Sequence, residues 1–411
     1  MLNRRIFLRN AGLAMVGVGT APLWLQRALY AADGSRKKIL VAIFQRGAAD
    51  GLNIVVPHGE RHYYDMRPTI AIPRPSGADR ENCAIDLDGF FGLHPALAPL
   101  KPVFDAQHLA IVHAAGSPDP TRSHFDAQDF MESGTPGLKV TGDGWLNRSL
   151  VPETSGVSPV RAVAMGAALP RVLHGRNNAV AIENLNSFQV RNDSASKVFQ
   201  AMYADSSDSV LSGTGRETFD AVKLLQSIEK QPYHAGAEYP RGRFGDSLQQ
   251  IAHLIKSDVG VEVAFADISG WDHHVNEVAQ QPTQGQLAQR LAEFGQSLAA
   301  FWNDLGDRMA DVALVTMSEF GRTARENGNR GTDHGHANVM FVMGGDVRGG
   351  KVYGDWPGLA NEQLYEGRDL ALTTDFRSVL GELVQTHLGN RDLRSVFPGF
   401  SSKSFRGLIK A

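Results

Sequence analysis

The residues best suited to chemistry lie close together in the stretch from Asp311 to Gly345. Glu319 follows an apolar run there, and Asp333, His334 and His336 follow in a glycine-rich loop. Carboxylate and imidazole groups are ligands of divalent metal ions. A histidine-rich surface loop is the alternative interpretation. Four such side chains bracketed by two apolar runs favour a metal site.

Three other stretches carry similar groups near the end of an apolar run. They are Asp50; Arg122, Ser123, His124 and Asp126; and Asp267, Asp272, His273 and His274. Because parallel strands bring their carboxyl ends to one edge of a sheet, these stretches can converge. Carboxylates and imidazoles without a thiolate suit Zn²⁺, Mn²⁺, Fe²⁺ or Mg²⁺ rather than an iron–sulfur or copper site. Arg322 could contact a bound anion or form a salt bridge.

Ser123 and Arg122 precede a predicted helix that continues through Met131. A hydroxyl at a helix N-terminus lies beside backbone N–H groups, which favours an anionic substrate. An arginine can clamp the same anion with two hydrogen bonds. Helix capping is the alternative role for Ser123. We expect His124 and Asp126 on the helix surface or behind the ligands.

Apolar runs of strand length precede most of these polar groups. The predicted strands include Lys38–Phe44, Leu109–Ala114, Val261–Ala266, Val312–Met317 and Val339–Met343. Helical spacing of apolar residues predicts helices at Arg243–Lys256, Gln286–Met309 and Phe376–Leu388. Strands that alternate with helices favour an α/β fold, with a mostly parallel sheet and helices on both faces. We interpret residues 183–256, the most polar part of the body, as a helical insertion or cap.

The N-terminus has the features of an export signal. Arg4 and Arg5 form a twin arginine ahead of a modestly apolar, Gly/Ala-rich stretch. This pattern resembles a twin-arginine signal peptide over residues 1–32, which would be read by the twin-arginine translocase. Pro22 and Arg27 argue against a stable membrane span, which needs about 20 uninterrupted apolar residues. We therefore expect a periplasmic or secreted protein.

The composition sets further limits. The chain has 411 residues, enough for one or two domains, and a formal net charge of −3. This charge gives no support to nucleic-acid binding, which usually needs a basic face. Cys83 is the single cysteine of the chain, so no intramolecular disulfide can form. Folding in the reducing cytoplasm before export is compatible with this composition.

Seven motifs spread over nearly the whole mature chain resemble one bacterial family. They are RGAADGLN, LHPAL, GSPDPTRSHFDAQDFMESGTPG, GWLNR, SGWDHH, SEFGRTARENGNRGTDHGHA and TDFRSVLGELVQTHLG. Together with the export signal they are similar to the domain-of-unknown-function 1501 family, exported proteins grouped with the alkaline phosphatase and sulfatase superfamily. The resemblance implies an alkaline-phosphatase-like three-layer α/β sandwich over residues 33–411.

The superfamily's pattern implies roles for individual residues. One or two divalent ions (Zn, Mn, Fe, Mg or Ca) would be held by Asp50, Asp272, His274, Glu319, His334 and His336. Ser123 would attack or hold a nucleophilic water, and Arg122 would bind the anion. The chain departs from the pattern at Glu319 and Phe320, where the superfamily usually has an Asp-His pair. The sulfatase Cys-x-Pro-x-Arg motif is missing, which argues against formylglycine chemistry.

Two functions are consistent with this sequence. The first is an exported metal-dependent hydrolase of phosphate or sulfate esters, with an anionic small-molecule or polymer substrate. The second is a non-catalytic binding or assembly protein on the same fold with a vestigial metal site. The imidazole missing beside Glu319 is consistent with one metal ion in place of two, or with a site that has lost hydrolysis.

Overall fold

A computed structural model describes residues 36–79, 81–139, 141–152, 157–185, 220–228, 233–401 and 405–410. The predicted signal peptide lies outside these residues. So do positions 186–219 and 229–232 of the predicted polar insertion. Among the described residues, no helix combines the length and the apolar character needed to cross a membrane.

The apolar runs of the sequence form the strands. They are β1 (Ile39–Arg46), β2 (Val55–Val56), β3 (Ile85–Asp86), β4 (Gly92–Leu93), β5 (Leu109–Gly116), β6 (Ala162–Met165), β7 (Val180–Ile182), β8 (Val263–Ser269), β9 (Val312–Ser318), β10 (Asn338–Gly344), β11 (Lys351–Tyr353) and β12 (Thr374–Asp375). All five strands predicted from the apolar runs continue one to three residues past the predicted carboxyl ends. β1, β8 and β9 therefore extend into the polar residues that follow them.

The helices connect these strands. They are α1 (Gly51–Ile54), α2 (Arg61–Met66), α3 (Lys101–Asp105), α4 (His124–Ser133), α5 (Trp145–Ser149), α6 (Arg243–Lys256), α7 (Gln286–Leu305), α8 (Phe376–Glu382) and α9 (Leu393–Val396). Residues 220–228 are helical as well. The helix predicted over Gln286–Met309 ends at Leu305, and a 3₁₀ helix follows it over Gly306–Asp311. The last predicted helix changes to a π-helix over Leu383–His387.

The main sheet is open and mostly parallel. Its strand order is β11-β5-β10-β9-β1-β8-β6-β7, and β12 pairs with β5. The central strand β1 runs parallel to both β8 and β9. β10 pairs antiparallel with both of its neighbours, β9 and β5. The structure confirms the predicted α/β class, with β10 as the reversed strand.

Helices cover both faces of the sheet because successive residues of a buried strand point to opposite sides. In β1, Ile39, Val41 and Ile43 pack into one core with helices α6 and α7. The alternate residues Leu40 and Phe44 pack into a second core that includes α5 and α8. The result is a three-layer arrangement that buries the sheet and leaves its carboxyl edge available for a site.

Candidate metal centre

The strand directions bring the predicted polar groups to one edge of the sheet. β1, β8 and β9 are parallel and end side by side, with Arg46 opposite Ser269 and Gln45 opposite Ser318. β10 is antiparallel, so it begins where its neighbours end. The loop that precedes β10 and carries His334 therefore reaches the same edge as the loops that follow β8 and β9.

Three imidazoles and one carboxylate meet at this edge. The Nε2 atom of His334 lies 3.0 Å from Nε2 of His124 and 2.9 Å from Nε2 of His274. Oδ1 of Asp272 lies 3.1 Å from His274 Nε2, 3.5 Å from His334 Nε2 and 3.7 Å from His124 Nε2. We call these four residues the histidine cluster. The atoms of His124, Asp272 and His334 are close enough together to share one ion.

The other ring nitrogen of each histidine faces an oxygen that can only accept a hydrogen bond. The acceptors are Glu319 Oε1 at 2.9 Å from His124, Asp333 Oδ1 at 3.0 Å from His274, and the backbone oxygen of Arg122 at 2.9 Å from His334. When the rings are neutral, each Nδ1 therefore carries the proton, which leaves each Nε2 with a free lone pair. Three lone pairs facing one another repel unless a cation lies between them, and this is how metal-binding histidines are usually oriented.

Glu319 holds His124 rather than joining the cluster. Its carboxylate is buried, and Oε1 also accepts hydrogen bonds from the backbone of Gly47 at 2.8 Å and from Gln128 Nε2 at 2.9 Å. Oε2 lies 3.0 Å from the hydroxyl of Ser318. Burial would raise the pKa of Glu319, but these hydrogen bonds, led by that from His124, hold it below its ordinary value. Glu319 is therefore a fixed negative charge behind His124.

Arg322 orients the carboxylate of the cluster. Its buried guanidinium donates to Asp272 Oδ1 at 2.6 Å, so the structure gives a salt bridge at this arginine. It also donates to four backbone oxygens, those of Gly47, Ala48, Trp271 and Thr332. Burial opposes ionisation of Asp272, but the bond and charge of Arg322 lower its pKa below the ordinary value. Asp272 thus stays an anion.

The cluster has an apolar wall and an open side. The ring of Phe320 lies 5.0 Å from the rings of both His124 and His334. On the other side, the side chains of Asp272 and His274 are 48% and 40% exposed. A small molecule can therefore reach the cluster from solvent.

Asp50 and His336, two of the predicted metal ligands, lie outside the histidine cluster. The carboxylate of Asp50 is buried and bonded to the guanidinium of Arg67. The ring of His336 stacks on Tyr365, with 4.5 Å between ring centroids. Burial lowers the pKa of His336. Of the six predicted ligands, the structure brings Asp272, His274 and His334 together and places Glu319 behind His124.

The predicted nucleophile and anion clamp have other partners. Ser123 is the N-cap of α4, where its hydroxyl accepts from the backbone of Asp126 at 3.5 Å. The guanidinium of Arg122 donates to Asp369 at 2.6 Å and to Glu366 at 2.7 Å. The hydroxyl of Ser123 stays exposed, whereas the charge of Arg122 is already compensated.

His124, which the sequence predicts on the helix surface or behind the ligands, is a member of the histidine cluster. It is the first residue of α4, and Gln128 lies one turn later on the same face. Both side chains bond to Glu319. Gln128 Oε1 accepts from Arg46 at 3.0 Å, which turns its amide nitrogen toward Glu319. The His-x-x-x-Gln spacing was the available signal for an inward-facing pair.

The fold and the donor set define an α/β protein with a candidate metal site at the carboxyl edge of a mostly parallel sheet. The sequence pattern of the family described as "Protein of unknown function (DUF1501)" matches residues 107–395, and the chain belongs to this family. None of the curated proteins matches the chain.

Several solved structures show a distant likeness. The C-terminal periplasmic domain of EcEptC from Escherichia coli, in complex with Zn, is 8% identical, with 75% of this chain and 73% of that chain covered and a TM-score of 0.35. The PsFucS1 sulfatase from Pseudoalteromonas sp. is 12% identical, with 94% and 75% covered and a TM-score of 0.40. The phosphonate monoester hydrolase of Agrobacterium radiobacter is 10% identical, with 90% and 79% covered and a TM-score of 0.34. At this level of similarity none of them assigns an activity to this chain.

Proposed function

We propose that this protein is an exported metal-dependent hydrolase of phosphate or sulfate esters that acts at the histidine cluster. The observation that carries the proposal is the convergence of three Nε2 lone pairs on the carboxylate of Asp272. Three nitrogens and one oxygen suit Zn²⁺, Fe²⁺ or Mn²⁺. The set is a poor match for Mg²⁺ or Ca²⁺, which prefer oxygen ligands throughout.

The chain's own residues prepare the site for such an ion. Glu319 and Asp333 hold the rings of His124 and His274, and Arg322 holds Asp272. A bound divalent ion would supply Lewis acidity and make water a stronger nucleophile at neutral pH. Hydrolysis adds water across the bond between phosphorus or sulfur and the ester oxygen, and it releases the alcohol and an inorganic anion.

Ser123 is the proposed nucleophile, or the group that holds the attacking water. Its hydroxyl lies at the N-terminus of the ten-residue helix α4, next to His124. The first N–H groups of a helix and its positive dipole end favour an anion at this position. The contact to Asp126 N is long, at 3.5 Å, and uses only the oxygen of the hydroxyl, while the Ser123 proton faces the carboxylate of Asp126 as an acceptor.

Metal content and ester hydrolysis test the proposal together. Protein purified without added metal and then reloaded is expected to bind Zn²⁺, Fe²⁺ or Mn²⁺ and to hydrolyse an aryl phosphate or aryl sulfate. His334→Ala should remove both properties, and the matched variant His336→Ala should keep the metal. Circular dichroism checks that each variant is folded. Less than about a tenth of an equivalent of metal in the wild type, with no rate for any ion, would refute the hydrolase.

A second function, metal-dependent binding or assembly without hydrolysis, is favoured by one observation. Arg122, the predicted anion clamp, is paired with Glu366 and Asp369. A full equivalent of metal combined with no hydrolysis of any ester tested would support this second function. Inhibition of ester hydrolysis by an added anion would support the first function, the hydrolase.

A further inference from the structure

A buried arginine occupies the place where the superfamily pattern implies a metal ion. Asp50 would be a ligand in that pattern, yet its carboxylate is only 1% exposed and carries the guanidinium of Arg67 on both oxygens. Nη2 of Arg67 lies 2.9 Å from Oδ1, and Nη1 bonds Oδ2. Arg67 already uses one lone pair on each oxygen of Asp50, so a cation bound there would compete with both of these hydrogen bonds.

All five N–H groups of Arg67 have acceptors. Besides Asp50, they donate to Asn53 Oδ1 at 2.8 Å and to the backbone oxygens of Ala324 at 2.9 Å and Thr323 at 2.9 Å. A guanidinium offers five donors in a fixed plane, so this position is fully matched. The fold holds the arginine in place. An ion that displaced it would leave these acceptors unpaired.

Glu277 joins Asp50 and Arg67 in this buried group without adding a charge. Its carboxyl is fully buried, hydrogen-bonds to Asp50, and accepts from Thr332 Oγ1 at 3.1 Å. Burial, together with the charge of Asp50, raises the pKa of Glu277 well above its ordinary value. Burial opposes ionisation of Asp50, but the charge of Arg67 holds its pKa low. One carboxylate, one carboxylic acid and one guanidinium add up to no net charge.

We propose that Arg67 takes the place of a second metal ion at the Asp50–Glu277 pair, so that the protein holds one divalent ion, at the histidine cluster. The inference deepens the proposed metal centre and rests on it, but it does not depend on ester hydrolysis. A guanidinium fixed in the fold replaces an exchangeable dication, which removes one charge and all open coordination positions from this side of the site.

Metal stoichiometry of the full chain tests the inference. The protein is saturated with Zn²⁺, desalted and measured by inductively coupled plasma mass spectrometry. We expect one equivalent in the wild type, one in Asp50→Asn and none in His334→Ala. Asp50→Asn should also unfold at a lower temperature, because the charge that faces Arg67 is lost.

Two equivalents in the wild type would overturn the inference, and loss of one of them in Asp50→Asn would identify Asp50 as a ligand. No metal in the wild type would refute the metal centre itself, and with it this inference. If Asp50→Asn does not fold, Glu277→Gln provides the second variant because it keeps the shape of the neutral acid. We expect it to fold and keep one equivalent, and a drop in metal content there would contradict the proposal.

Discussion

Replacing Glu319 by glutamine separates the charge of this residue from its hydrogen bonds. Oε1 accepts from Gly47, Gln128 and His124, and Oε2 faces the hydroxyl of Ser318. A glutamine oxygen can accept from the same three donors, and its amide nitrogen can donate to the hydroxyl oxygen. We therefore expect Glu319→Gln to fold and to lose only the negative charge behind His124.

The effect of losing this charge on metal affinity can be estimated from the hydrogen bond between Glu319 and Nδ1 of His124, which the substitution weakens. A hydrogen bond to a charged group contributes about 1.5–3 kcal/mol, and one between neutral groups about 0.5–1.5 kcal/mol. The midpoints of these ranges differ by about 1.2 kcal/mol, which corresponds to a roughly eightfold weaker metal affinity. Removing the partner of a metal-binding histidine typically costs about 10–100-fold, so glutamine should lie at the lower limit.

Competition between the metal-free protein and a chromophoric chelator gives the Zn²⁺ affinity. Glu382→Gln is the matched control, because Glu382 is a buried glutamate that accepts from Gly407 N at 3.1 Å and Ile409 N at 3.0 Å outside the cluster. It should lower stability and leave the affinity unchanged. An unchanged affinity in folded Glu319→Gln would refute the role assigned to Glu319. A loss well beyond the roughly 100-fold upper limit for such a partner would show that Glu319 itself binds the ion.

Two further predictions concern stability and export. Burial lowers the pKa of His94 to about 3 and that of His113 to about 4. Because the unfolded chain takes up these protons near pH 6.5, the metal-free protein should lose about 2 kcal/mol per histidine between pH 7 and pH 5. Urea unfolding at the two pH values measures this loss, and equal stability at both would contradict it. Replacing Arg4 and Arg5 by lysine should retain the precursor in the cytoplasmic fraction, and continued export would exclude a twin-arginine signal.

The sequence predicts the edge of the sheet at which the candidate site lies. Runs such as Val312–Met317 have the length and residue types of buried strands, and polar groups at the carboxyl ends of parallel strands lie at one edge of the sheet. That reasoning placed Asp272, His274 and His334 in one region, and the structure brings them together. It depended on residue type and strand direction, both of which can be read from a single chain.

The roles of the individual side chains within the site could not be predicted in the same way. Whether a carboxylate touches an ion or the back of a histidine depends on a few ångströms of side-chain position, as Glu319 shows. Arg67 lies in a stretch that reads as irregular polar loop, and nothing in its local pattern indicates a buried partner. Its pairing with Asp50 exists only because the tertiary fold brings the two segments together.

The adjacent residues Glu319 and Phe320, which follow β9, position imidazoles of the histidine cluster. Phe320 supplies no ligand, but its ring supports both His124 and His334. The imidazole comes instead from the start of α4, and Glu319 fixes that ring through Nδ1. The carboxylate that follows β9 therefore orients an imidazole on the helix. Because His124 then lies next to Ser123 in sequence, any movement of the proposed nucleophile would also move a residue of the cluster. Metal affinity and reactivity should therefore change together in variants at the start of this helix.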